Sequence, residues 1–311
     1  MKIVFMGTPD YAVKTLEALI GAGHTVAAVF AQPDKPVGRK QILTPPPVKV
    51  CAQMYGIPVF QPRTLRDGEA EKIIRNIAPD VIAVVAYGKI LPTEILTLPR
   101  YGCVNGHASL LPKYRGAAPI QWCIVNGEKE TGVTAMQMDE GMDTGDILET
   151  AVTEIGAEET AGELFERLSV IGAELLVKTL ADIENGNVTP IKQDESKATS
   201  APIIKKEMAK ISFHDMTAEE VHNAVRGFYP WPVAFFISGG KRIKIIKSRV
   251  VNMRGTAGAV LKSDNELIVA CKKEAVALET IQPEGSKPMT AKQYLCGRSI
   301  ALGTEIEDEN G

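Results

Sequence analysis

At 311 residues, 45% of them hydrophobic and 23% charged, the chain has room for about two domains with real cores, and its apolar runs are too short for a membrane helix of ~20 residues. Five scattered cysteines with no CxxC pair exclude a disulfide framework or zinc knuckle and fit a reducing cytoplasm; the N-terminus lacks the apolar core and cleavage site of a signal peptide. A net charge of −3 excludes a field that attracts nucleic acid over the whole surface, so any such contact rests on local basic patches.

Residues 2–6 form a short apolar run, and Gly7-Thr8-Pro9-Asp10 makes a turn. The spacing of Val13, Leu16 and Leu19 predicts a helix over 11–21, with Asp10 placed to cap it. Residues 24–31 read as a second strand, and the Pro-rich, basic segment 32–49 is too long for an ordinary connection. Helices are predicted over 48–55 and 67–77, an extended piece over 58–61, and a fully buried parallel strand over 80–86. Strand–helix alternation of this kind predicts a doubly wound, mostly parallel sheet whose site lies at the C-terminal ends of its strands. Leu164, Leu168, Ile171 and Leu175 mark a long helix that closes near Gly186. The texture then changes. Residues 187–202 are polar and turn-rich, a helix is predicted over 218–226, and short strand-like runs follow at 233–237, 242–246, 257–261, 267–271 and 275–281. The expected fold is therefore an α/β Rossmann-like domain over 1–186, a linker over 187–205, and a small β-barrel over 206–311.

The stretch richest in chemistry is Asn105-Gly106-His107-Ala108-Ser109-Leu110-Leu111-Pro112, which runs on to Tyr114-Arg115-Gly116. Asn105 and His107 are two apart, so on a strand they project to one face. Further on, Gly141-Met142-Asp143-Thr144-Gly145-Asp146 places two carboxylates on a glycine-containing loop. Asn, His and Asp without a Ser or Cys nucleophile suit acyl transfer between two bound partners. The amide N–H stabilises a developing oxyanion, the imidazole moves a proton, and a carboxylate orients the imidazole. Each residue alone also fits a structural role, Asn105 and His107 as hydrogen-bonded strand residues and the two aspartates as loop or cap residues.

Several segments together resemble the bacterial methionyl-tRNA formyltransferases, within the folate-dependent formyltransferases. They are Gly7-Thr8-Pro9-Asp10, Gln32-Pro33-Asp34-Lys35-Pro36-Val37-Gly38-Arg39, Ala86-Tyr87-Gly88, Ser109-Leu110-Leu111-Pro112, Arg115-Gly116-Ala117-Ala118-Pro119-Ile120-Gln121 and Asp143-Thr144-Gly145-Asp146, with Pro230-Trp231-Pro232 and Pro283-Glu284-Gly285 beyond. The resemblance implies a Rossmann-like domain joined to an OB-like barrel. It implies formyl transfer from 10-formyltetrahydrofolate to the methionine amino group on initiator methionyl-tRNA, for translation initiation. It makes Asn105, His107 and Asp143 the catalytic residues, and assigns Ser109, Leu110, Leu111, Pro112, Tyr87 and Gly88 to the folate pocket. One position departs from the family pattern: Gly106 stands where a bulky aliphatic is expected. A glycine in a strand loses packing and backbone order, so valine at 106 is expected to raise stability without changing the reaction.

The same resemblance makes the 32–49 loop a probe of the tRNA acceptor end, with Arg39 as its foremost contact beside Lys35 and Lys40. Five basic residues in the nine from 241 to 249, Arg242 and Lys244 among them, suit a phosphate-tracking strand, and Lys206 extends that surface. No metal is expected, and the protein is expected to act as a cytoplasmic monomer away from membranes. Formylation of a sugar nucleotide or ribonucleotide amine does not require this basic loop and C-terminal half. A non-catalytic RNA-binding protein leaves Asn105, His107 and Asp143 without a task. Dinucleotide-dependent redox chemistry lacks its GxGxxG cradle.

Overall fold

Residues 1–38, 40–298 and 300–306 are described by a computed structural model. The chain begins β1 (Lys2–Gly7), α1 (Asp10–Gly21), β2 (Thr25–Phe30), the β3–β4 hairpin (Lys35–Val37, Ile42–Thr44), α2 (Pro47–Met54), β5 (Val59–Phe60) and α3 (Glu69–Ile77). It continues with β6 (Val81–Val85), α4 (Thr93–Leu96), β7 (Cys103–His107), β8 (Arg115–Gly116), α5 (Pro119–Val125), β9 (Glu130–Gln137), β10 (Ile147–Glu154) and α6 (Ala161–Glu184).

Seven of these strands form one sheet in the order β10-β9-β7-β6-β1-β2-β5. Pairing is parallel from β7 through β5 and antiparallel where β9 joins β7 and β10 joins β9. Val81 to Val85 are all buried, as a central strand covered on both faces requires. Gly7 ends β1 with no room for a side chain, since a Cβ there would stand 2.7 Å from the Phe5 ring and 2.8 Å from the Ala12 methyl. Asp10 opens α1 without making a cap hydrogen bond, so its carboxylate contributes through the first-turn dipole alone. Gly186, two residues beyond α6, has φ 71°, the left-handed turn that closes many helices.

The chain divides into two compact units. The first is Met1–Pro119, Glu130–Glu154 and Phe165–Ala201, and the second gathers Ile120–Lys129, Ile155–Leu164 and Pro202–Gly311. Within the second unit, Arg226 donates to the carbonyls of Gly156 and Glu159 at 3.2 and 2.9 Å, and Trp122 donates to that of Pro202 at 2.8 Å. These bonds explain why the two short excursions belong with later residues.

The segment read as a linker is bound structure for much of its length. Ile191 exchanges two backbone hydrogen bonds with Ile147 on the edge of β10, each 2.8 Å, and β11 (Ser200–Ala201) pairs parallel with β8. The second unit continues with α7 (Ala218–Gly227), β12 (Phe235–Ser238), β13 (Lys241–Val251), β14 (Val260–Ser263), β15 (Leu267–Ala270), β16 (Ala275–Pro283), β17 (Met289–Thr290) and α8 (Ala291–Leu295). Its strands form a curled antiparallel half-barrel in the order β12-β13-β16-β15-β14, with β17 on β16. β13 is more than twice the length expected from 242–246, because shifts in its register with β16 let it bend and continue.

Candidate active site

Three loops meet at the C-terminal ends of β6, β1 and β2, which are adjacent in the sheet. Thr8, after β1, donates to the Tyr87 carbonyl at 3.0 Å and accepts from the Gln32 backbone N–H at 3.3 Å. The Gln32 side chain, after β2, donates to the carbonyls of Tyr87 and Gly88 at 3.2 and 3.1 Å. Gly88 has φ 80°, a left-handed conformation that glycine adopts without strain. The rim formed by the loop after β6 is thus held by side chains from the ends of β1 and β2.

β7 carries Asn105 and His107 onto the same face, as its period of two dictates. Asn105 is 9% exposed and His107 7%. The Asn105 amide has no hydrogen-bond partner among the described residues, which leaves both its donors to an incoming ligand. His107 Nε2 lies 2.9 Å from the Tyr114 carbonyl. A carbonyl only accepts, so Nε2 carries the hydrogen and Nδ1 is the nitrogen left for proton exchange. Nδ1 faces Asp143 Oδ2 at 3.6 Å. That carboxylate also accepts from the Gly116 backbone N–H at 2.8 Å. Tyr114 and Asp143 hold left-handed backbone, with φ 61° and 56°, so the two residues flanking the imidazole occupy conformations that the surroundings must enforce.

The 109–112 stretch is shaped from below. Thr134, on β9 opposite His107, donates to the Ser109 carbonyl at 2.7 Å and accepts from the Leu111 N–H at 3.1 Å. Ser109 is itself buried and donates to the Lys113 carbonyl at 2.7 Å. Leu111 is buried, whereas Leu110 and Pro112 are half-buried. Tyr87, assigned with Gly88 to the folate pocket, is 2% exposed, and its side chain packs in the core with Val4, Met6, Phe30 and Leu65. Burial pushes its phenol up to about 12. Gly88 is exposed at the rim. Asp146 contributes its carbonyl to the Gln137 N–H at 2.9 Å, and only Asp143 among the two aspartates pairs with His107.

The structure brings Asn105, His107 and Asp143 together and adds residues that sequence reading passed over. Thr134, Gln193 and Thr199 are polar side chains that hydrogen-bond around the site; no periodicity marks them, and they become visible only once the strands pair. The basic residues are distributed differently. Lys35 and Lys40 are exposed on and beside the β3–β4 hairpin, while Arg39 lies outside the described residues. Lys49, counted with that basic segment, pairs with Asp34 at 2.8 Å and donates to Gln61 at 2.8 Å. Lys206 is exposed, Lys244 is half-buried, and the Arg242 guanidinium lies 4.1 Å from the Phe235 ring centre. Lys247 and Arg249 pair with Glu279, and Arg249 also with Glu266.

Among the described residues no group of three or more His, Cys, Asp or Glu side chains is arranged to hold a metal ion, and no helix is long and apolar enough to cross a membrane. Residues 1–180 match the family model described as formyl transferase, and 203–299 match the formyl transferase C-terminal domain. The methionyl-tRNA formyltransferase of Alkaliphilus oremlandii is 49% identical over 306 residues, covering 97% of this chain and 98% of that one. The chain belongs to the methionyl-tRNA formyltransferase family. The methionyl-tRNA formyltransferase of Geotalea uraniireducens is 47% identical, covering 98% of this chain and 97% of its own length. Among solved structures, the N-formyltransferase of Helicobacter canadensis in complex with folinic acid and dTDP-3-aminofucose shares the fold. Its TM-score is 0.69 at 23% identity, covering 91% of this chain and 99% of that one.

Proposed function

We propose that this member of the methionyl-tRNA formyltransferase family transfers the formyl group of 10-formyltetrahydrofolate to the α-amino group of methionine on initiator methionyl-tRNA. The observation that carries the reading is the end of β7. An unpartnered Asn105 amide and the His107 Nδ1 share one face there, with the Asp143 carboxylate 3.6 Å from that nitrogen. Formyl-folate supplies a one-carbon acyl group already bound to nitrogen. The Asn105 amide suits its oxygen, because an N–H aimed where negative charge develops stabilises transfer more than it stabilises the resting substrate. His107 Nδ1 takes a proton from the attacking amine and passes one to the departing folate nitrogen, and Tyr114 fixes the ring by accepting from Nε2. Asp143 steadies that exchange and orients the imidazole.

Ser109 to Pro112 and Gly88 line the folate side in this reading, with Tyr87 contributing backbone and core packing. Arg39, Lys35 and Lys40 meet the tRNA acceptor end, and Lys206, Arg242 and Lys244 meet its phosphates. The protein works as a cytoplasmic monomer without a membrane partner.

A direct test offers 10-formyltetrahydrofolate with methionyl initiator tRNA, an amino-sugar nucleotide or glycinamide ribonucleotide. Formylation of the tRNA alone is expected; turnover only with another acceptor, or with none, overturns the assignment. In the same assay His107→Ala and Asp143→Asn each lose at least ~100-fold in kcat, the range general acid–base groups contribute. Variants with wild-type rates remove those residues from the chemistry.

A further inference from the structure

Gln193 lies in no helix or strand, between the Ile191 bridge and β11, yet each end of its amide is saturated. Its Nε2 donates to the carbonyls of Asp143 and Gly145 at 2.9 and 2.7 Å. Its Oε1 accepts from Arg115 Nε and Nη2 at 3.0 and 2.8 Å. The partners fix the amide's orientation, since two carbonyls can only accept and a guanidinium can only donate. Arg115 is anchored in turn by Glu195 through two hydrogen bonds of 2.8 and 2.7 Å, which hold the Glu195 carboxyl below its usual range.

These bonds converge on the imidazole from two directions. One end of Gln193 bridges the 143–145 turn and holds Asp143 in its left-handed conformation, φ 56°. The other end grips Arg115, next in sequence to Tyr114, whose carbonyl meets His107 Nε2, and to Gly116, whose N–H meets the Asp143 carboxylate. A single side chain therefore ties together the backbone on both sides of His107. We propose that Gln193 is a positioning residue for formyl transfer, setting the Asp143 carboxylate against His107 Nδ1. The assignment rests on the catalytic reading of Asn105, His107 and Asp143 given above.

The test is steady-state formyl transfer across a pH series with the wild type, Gln193→Met, Gln193→Glu and Asp143→Asn. Methionine keeps the length and removes every hydrogen bond; kcat is expected to fall ~10-fold or more, since misplacing a reacting group by a fraction of an ångström to an ångström costs on that order, with KM for formyl-folate nearly unchanged. Glutamate keeps the acceptor for Arg115 but sets a carboxylate against two carbonyls. Its deficit is expected to shrink as pH falls, because a protonated carboxyl regains a donor, while the methionine deficit shows no such recovery. Wild-type kcat in both variants, equal deficits at every pH, or losses confined to KM or to melting temperature overturn the proposal. Asp143→Asn separates the two levels. If it retains wild-type kcat, the catalytic reading fails and this proposal with it. If it is inactive while both Gln193 variants are normal, only the role of Gln193 fails.

Discussion

His107 has one ring nitrogen committed to a backbone carbonyl and the other facing a carboxylate, and that asymmetry is what a proton-exchanging group needs. Its neighbour Gly106 contributes nothing to the reacting face. A Cβ there would find only the Val85 methyl, at an ordinary 3.6 Å, and the residue does not occupy left-handed backbone. Gly106→Ala is therefore expected to stabilise the protein by ~0.5–1 kcal/mol, chiefly by restricting the unfolded chain, with kcat unchanged. A melting temperature no higher than that of the wild type contradicts this, and Gly106→Val extends the test to the branched side chain of the family pattern. Asn105 and His107 were legible in the sequence because a strand's period of two puts i and i+2 on one face. The choice between Asp143 and Asp146 was not legible by pattern, because a loop has no period; resemblance singled out Asp143, and the structure pairs it with His107. Gln193 carried no signal at all. A lone glutamine among turn residues looks solvated until its partners are known.

At the scale of elements, the site depends on a strand pair of only two residues each. Gly116 on β8 has φ 120°, and a Cβ there would stand 2.8 Å from the Ala201 carbonyl of β11. Gly116→Ala must both adopt a conformation closed to L side chains and push β11 away, at a cost of ~1–3 kcal/mol. The expected outcome is a lowered melting temperature together with at least ~10-fold loss of kcat, since the Gly116 N–H holds Asp143. A variant that melts lower and keeps full activity shows that this N–H is dispensable. Composition marks 187–202 as turn-rich connecting chain and leaves the pairings it makes unseen. Its turn residues describe the local backbone correctly, but local preference says nothing about where the backbone hydrogen bonds go. The central strands were easier to read. Val81 to Val85 form an unbroken apolar run, which a strand buried on both faces demands, whereas β9 mixes Thr and Gly into its run and shows no pattern that separates it from a loop.

Across the whole molecule, buried thiol and phenol groups, Cys103 and Tyr87 among them, set a limit on alkaline stability. Burial raises the Cys103 thiol from its ordinary 9.0 to about 12 and the Tyr87 phenol from 10.0 to about 12. Both are held protonated by the fold, so their contribution is complete below pH 9, where the unfolded chain is protonated too. It is lost progressively as pH rises toward 12, because the unfolded chain releases these protons first. Melting temperature is expected to fall across that window, and less steeply in Cys103→Ala once its own cavity cost is subtracted at pH 7; an identical pH slope in the variant rules Cys103 out. The division into compact units is not linear along the chain: the first unit is made of three separate runs. That discontinuity sets an order on the making of the protein. During synthesis Asn105, His107 and Asp143 leave the ribosome well before Gln193, Thr199 and β11, with the whole of α6 in between. A nascent chain that has just finished α6 holds the three proposed catalytic residues and none of the contacts that arrive later. The contacts from Gln193, Thr199 and β11 form only when the stretch ending at Ala201 has been made, so an unfinished copy lacks the hydrogen bonds that these residues place on Asp143, Arg115 and Tyr114.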